Sequence, residues 1–201
     1  MDEQSREARH KARMQRKKAV IDASIAASEE ERGLLLVNTG NGKGKSSAAF
    51  GVLARALGHG MQCAVVQFIK NRSDTGEEAF FKTSPNVQWH VMGDGFTWET
   101  QDDAKDRTTA RAAWEQACVY LRDDRIDLLV LDEFTYTLKY GWLGLDEVMQ
   151  VINERPMMQH VIITGRAAPD GLVDEADTVT DMTMKKHAYQ AGVKAMPGVE
   201  W

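Results

Sequence analysis

The sequence predicts an α/β fold, a mainly parallel sheet covered by helices on both faces and preceded by an N-terminal helical arm. Three observations carry this expectation. Short apolar runs suited to buried strands alternate with longer segments of helical spacing. Those runs are apolar on both sides of the chain, as strands must be when helices cover each face of a parallel sheet. Glycines follow the first strand and the first helix of the domain, where the chain has to turn. A chain of 201 residues suffices for one domain with a proper core and hardly for two.

Residues 1–32 read as a separate arm. From Arg6 to Lys18 there are seven basic residues and one acidic residue, followed by Val20, Ile21 and Ile25 and then Glu29, Glu30 and Glu31. The composition favours helix, but the apolar stripe is thin, so the helix is marginal unless it lies on a surface. A solvated arm and an arm folded over an anionic ligand or a partner subunit both fit.

The domain at 33–201 opens with a strand at Leu34–Asn38. A helix follows at Lys45–Leu57, with Ala48, Ala49, Val52, Leu53 and Ala56 at helical spacing and Gly58 and Gly60 as its stop. Gln62–Phe68 is a second buried strand. Val87–Met92 is a third, by the alternation of Val87, Trp89 and Val91. Thr100 reads as an N-cap with an acid three residues on, opening a helix that runs to about Arg122. Asp127–Leu131 is the strongest strand signal. Leu145–Glu154 is a helix closed by Pro156, His160–Thr164 is another buried strand, and a last strand is expected at Thr178–Met182.

Parallel sheets bind ligands beyond the carboxyl ends of their strands. Attention therefore falls on the turns after Asn38, Phe68, Leu131 and Thr164. The first reads Thr39-Gly40-Asn41-Gly42-Lys43-Gly44-Lys45-Ser46-Ser47, between a strand and a helix, which is the context of a phosphate-binding P-loop. Glycines let successive backbone N–H groups point into one concavity, and the helix N-terminus adds unpaired donors and a positive dipole end. Lys45 supplies a mobile charge for phosphate oxygens, and the Ser46 hydroxyl can ligate Mg²⁺. Counting back five residues from Gly44 reaches Thr39 and not glycine, so the loop is compact, and it carries an extra lysine, Lys43. The expected architecture is accordingly P-loop NTPase-like, of the RecA-like kind.

The strand Leu128–Leu131 ends in Asp132 and Glu133. Beside a P-loop, such acids hold Mg²⁺ directly or through water. Adjacent residues at a strand end point in opposite directions, so one of the two faces the metal, and the sequence leaves open which. Arg166, after the strand HVIIT, can grip a triphosphate bidentately, the alternative being a surface salt bridge. Lys70 stands at the same edge. Between the third strand and the next helix, Phe96 and Trp98 follow two glycines. Rings there either plug the domain's own core or wall a large, flat, partly apolar ligand.

Composition narrows the classes. Hydrophobic residues make up 43% and charged residues 27%, a globular balance, and no stretch approaches the roughly eighteen apolar residues that cross a bilayer. The net charge of −5 argues against a broad basic surface for duplex nucleic acid. Cys63 and Cys118 lack CxxC partners and read as buried hydrophobes in a reducing compartment. The five histidines show no metal-ligand spacing, and no secretory signal is evident. A cytoplasmic protein is expected.

Taken together, ERGLLLVNTGNGKGKSSAAFG at 31–51, VVQFIK at 65–70, GFTWET at 95–100, LLVLDEFTY at 128–136, VIITGR at 161–166 and HAYQAGVKAMPGVEW at 187–201 resemble the P-loop type of ATP:corrinoid adenosyltransferase. The resemblance covers nearly the whole chain. It implies attack by the Co(I) centre of a reduced corrinoid on C5′ of ATP, with the whole triphosphate expelled. By the same resemblance ATP lies in the site in a reversed sense. The catalytic residues would be Lys45 and Arg166, and Mg²⁺ (or Mn²⁺) would be held by Ser46 with Glu133 or Asp132. Phe96 and Trp98 would crowd the lower face of the corrinoid and leave a four-coordinate Co(II) that is easier to reduce. A reduced flavoprotein would donate the electron, and the arm would help cover the site in a homodimer. Ser46 stands where members of that family often carry threonine, and the hydroxyl survives. An ordinary P-loop ATPase or phosphotransferase is the competing reading. A non-enzymatic ATP-dependent module whose basic arm docks on nucleic acid or a partner is the third.

Overall fold

The computed structural model describes residues 3–69, 75–93 and 102–200. The chain divides into two compact units, residues 1–32 and 33–201. The first is a single helix, α1 (Glu3–Ala26), followed by a turn and irregular chain. From Arg6 onward all its side chains are exposed, and Lys18 pairs with Asp22 one turn on at 2.5 Å.

The second unit holds six parallel strands: β1 (Leu35–Thr39), β2 (Cys63–Gln67), β3 (Val87–Val91), β4 (Leu128–Asp132), β5 (His160–Thr164) and β6 (Thr178–Asp181). They lie in the order β3-β2-β4-β5-β1-β6. Between them run α2 (Lys45–Gly58), α3 (Gly76–Phe81), α4 (Asp103–Leu121), α5 (Thr135–Lys139), α6 (Leu145–Asn153) and α7 (Asp170–Glu175), and a 3₁₀ turn (Ala188–Ala191) lies in the C-terminal segment. Every strand expected from the sequence forms, and the sheet is wholly parallel. For β1, β2, β4 and β5 the reason lies in the alternation of burial, whereas β6 is exposed along its length. Leu35, Val37, Val66, Leu129, Leu131, Val161 and Ile163 pack on one face against Ala113, Trp114 and Leu121 of α4 and Val148 and Ile152 of α6. Cys63, Val65, Leu128, Val130 and Ile162 pack on the other against Ala49, Phe50 and Leu53 of α2. Trp89 of β3 closes that second layer, 5.3 Å from Phe50 and stacked on Phe81 at 6.0 Å.

The structure differs from expectation in two ways. The helix expected from Thr100 begins at Asp103 and is capped by Asp102, whose carboxylate accepts the Lys105 N–H at 3.1 Å, while Thr100 lies outside the described residues. An Asp at this position both satisfies an orphan donor and places negative charge at the positive end of the helix. The sequence also gave no warning of α3, α5 and α7, which have five or six residues each and are too short to show a helical period.

Candidate active site

The loop between β1 and α2 is shaped by two left-handed glycines. Gly40 has φ 98° and Gly44, directly before α2, has φ 113°. Such angles strain any residue with a Cβ. A Cβ on Gly40 would also lie 2.6 Å from the Met182 carbonyl oxygen, because the chain after β6 runs hard against the loop. Met182 donates its N–H to the Thr39 carbonyl at 2.9 Å and accepts the Gly42 N–H. The Asn38 amide donates to the Lys45 carbonyl at 3.2 Å, tying the end of β1 to the first turn of α2.

Lys45 is only 7% exposed, and its Nζ donates to the Gly42 carbonyl at 2.7 Å, so the ammonium is folded back into the loop. Burial holds its pKa below the ordinary lysine value. Arg166 and Lys43 press in the same direction, and Glu133 and Asp132 oppose them. A cation held in this way is poised to exchange a neutral carbonyl for an anionic oxygen.

Asn41, Gly42, Lys43, Gly44, Lys45, Ser46 and Ser47 all line one cavity of about 460 Å³, together with Glu133 and Arg166. Thr39 and Gly40 do not. They line a neighbouring cavity of about 600 Å³, and the Thr39 hydroxyl accepts the Ala168 N–H at 3.2 Å. These two residues brace the loop where the others face its contents. Arg166 is exposed at the cavity, and its carbonyl accepts the Thr135 hydroxyl at 2.8 Å.

The adjacent acids diverge. Asp132 is fully buried at the end of β4, where Oδ2 accepts from Gln67 Nε2 and Oδ1 from the Thr164 hydroxyl, each at 2.8 Å. Glu133 takes a left-handed backbone, φ 58°, and lines the cavity with Lys45 and Ser46. Its carboxylate and the Ser46 hydroxyl are hard oxygen donors beside the glycine-rich loop. That set suits Mg²⁺, which keeps several waters and takes few protein ligands. Among the described residues no cluster of three or more His, Cys, Asp or Glu is placed to form an all-protein cage.

Phe96, Trp98 and Lys70 lie outside the described residues. The cysteines are buried and unbridged, and burial, reinforced by Asp127, pushes the Cys63 thiol up to about 12. His90 sits on β3 against the Tyr120 hydroxyl, and the His160 Nδ1 accepts the Leu34 N–H at 3.1 Å. Motif reading missed the far wall of the cavity, formed by Glu77 of α3 and by His187, Tyr189, Gln190 and Glu200 of the C-terminal segment. Glu200 pairs there with Lys43, which draws its carboxyl below the usual range. The signal available for the tail was the stretch HAYQAGVKAMPGVEW, which matches no general phosphate or metal pattern.

Residues 31–201 match the family described as ATP:corrinoid adenosyltransferase BtuR/CobO/CobP. Residues 1–25 match the N-terminal segment of cob(I)alamin adenosyltransferases. The chain belongs to the ATP:corrinoid adenosyltransferase family. A corrinoid adenosyltransferase of Pseudomonas aeruginosa is 58% identical over 194 residues, covering 96% of each chain. The corrinoid adenosyltransferase of Escherichia coli K12 is 45% identical and that of Salmonella typhimurium, CobA, 46%, each over 96% of this chain and 98% of the relative. This adenosyltransferase is therefore an enzyme that adenosylates corrinoids at the expense of ATP. Among its described residues no helix is long and apolar enough to cross a membrane.

Proposed function

We propose that the compact loop stabilises triphosphate as a leaving group while Co(I) of the reduced corrinoid attacks C5′ of ATP. The cobalt electron pair forms the Co–C bond, and the C5′–O pair leaves with the triphosphate. The observation that carries this reading is the convergence of Ser46, Glu133, exposed Arg166 and buried Lys45 on one cavity lined by the loop. Preorganised charge aimed at a departing oxyanion is the largest lever an enzyme has on such a step. Lys45 and Arg166 hold the triphosphate, with the loop's backbone N–H groups around it, except that of Gly42, which Met182 accepts. Ser46 and Glu133 hold Mg²⁺, which neutralises developing charge when bound. Asp132 supports this set from behind.

Family resemblance adds the remaining parts. Phe96 and Trp98 crowd the lower corrinoid face, a reduced flavoprotein supplies the electron, and the enzyme works as a cytoplasmic homodimer. Phosphorus NMR of the products tests the reading. MgATP and chemically reduced corrinoid should give triphosphate and a light-sensitive Co–C product, and release of ADP and orthophosphate instead would reject it.

A further inference from the structure

Four neighbouring strands carry, at or next to their carboxyl ends, polar residues that should be costly to bury: Gln67 on β2, Asp132 on β4, Thr164 on β5 and Asn38 on β1. Their exposures are 1%, 0%, 0% and 9%. Buried polar groups persist when they are hydrogen-bonded: the side chains of Gln67, Asp132 and Thr164 form a connected row that leaves only the Gln67 Oε1 without a partner, and the Asn38 backbone continues it. Gln67 lies opposite Asp132 in the strand register and donates to its Oδ2. Thr164 donates its hydroxyl proton to Asp132 Oδ1 at 2.8 Å. The Thr164 hydroxyl oxygen in turn accepts the N–H of Glu133 at 2.9 Å. After Thr164 the chain continues to Gly165, whose N–H reaches the Asn38 carbonyl, and Asn38 holds the first turn of α2.

The consequence lies at Glu133. A glutamate at φ 58° occupies a left-handed region that a residue with a Cβ adopts only under strain. The Thr164 hydroxyl receives the Glu133 amide in that conformation, and the left-handed turn carries the carboxylate to the cavity that Ser46 and Lys45 line. We infer that Thr164 is a positioning residue: with its proton committed to Asp132, its oxygen fixes the Glu133 backbone so that the glutamate faces the divalent cation. This rests on the proposed role of Glu133 in holding Mg²⁺. Asp132 then acts as the acceptor that orients Thr164, with Gln67 fixing its other oxygen.

Electron paramagnetic resonance titration of Mn²⁺ into the full-length protein with ATP tests the inference, with binding of metal-free ATP measured in parallel. Glu133→Gln should weaken Mn²⁺ binding strongly. Thr164→Val, and Thr164→Ala in case the valine impairs folding, should weaken it about 10- to 100-fold, the usual effect of losing a group that orients a ligand. Thr164→Ser should stay within about twofold of wild type, and metal-free ATP should bind all variants alike. If Thr164→Val or Thr164→Ala binds Mn²⁺ as wild type does while Glu133→Gln does not, the positioning role is overturned and the metal role of Glu133 stands. If Glu133→Gln itself binds Mn²⁺ normally, the metal role falls and the inference falls with it. A parallel loss of metal-free ATP binding in the Thr164 variants would mark a merely structural effect and also overturn the inference.

Discussion

At the scale of single residues, Lys45 shows how burial sets both affinity and pH dependence. Its ammonium is desolvated and has cationic neighbours, so it loses its proton at a lower pH than a free lysine. As pH rises, the cradle loses its central charge before pH 10.5 is reached. The alkaline limb of kcat/KM for MgATP should therefore fall below the ordinary lysine value, because that ratio reports the free enzyme. Lys45→Arg, which stays charged, should lack this limb, and a limb unchanged in the arginine variant would assign it to another group. The effect on stability has the opposite sign. The folded state binds this proton more weakly than the unfolded state, so the group favours folding above the unfolded pKa and disfavours it as pH falls through the folded pKa. Lys45→Ala should remove most activity by removing charge from the leaving group, a loss of order 10²- to 10³-fold in kcat if it resembles deletion of one preorganised donor.

At the scale of elements, the C-terminal segment and the phosphate loop form one unit. Met182 braces the loop backbone, and Glu200 occupies Lys43. A triphosphate that recruits Lys43 must displace this carboxylate. The pair is partly exposed, and such pairs contribute little, so Glu200→Gln should lower the KM for MgATP by no more than about fivefold. An increase in KM would show instead that Glu200 helps to hold the substrate. The segment also marks where sequence reading stops. Strands β1, β2, β4 and β5 were legible because burial on two faces writes contiguous apolar runs, and the loop was legible because its glycines, Lys45 and Ser46 stand side by side in the chain. The far wall was not, since bringing Glu200 to Lys43 spans 157 residues and no local pattern records it. The choice between Asp132 and Glu133 was likewise illegible, because it depends on the φ of Glu133 and on a hydroxyl 31 residues away.

At the scale of the whole molecule, the two units differ in how they can be stabilised. Every buried apolar side chain of the two core layers lies in residues 33–201, whereas residues 6–32 are exposed from Arg6 to Arg32. Truncations within the layers should be costly. Ile162→Ala, deep between α2 and the sheet, should lose about 2–5 kcal/mol, measurable by urea unfolding. Deleting residues 1–25 removes helix but no core burial, so it should lower far-UV helical signal and leave the melting temperature nearly unchanged. For a domain of this size, 1 kcal/mol corresponds to roughly 2–4 °C, so a fall of several degrees would mean that the arm contributes to folding after all. MgATP binding should survive the deletion, because all residues lining the phosphate cavity remain. Turnover of corrinoid should fall, since the arm is the segment that matches the N-terminal part of cob(I)alamin adenosyltransferases. Normal corrinoid kinetics in the shortened enzyme would separate the arm from the reaction and leave its basic stretch, Arg6 to Lys18, to some other partner.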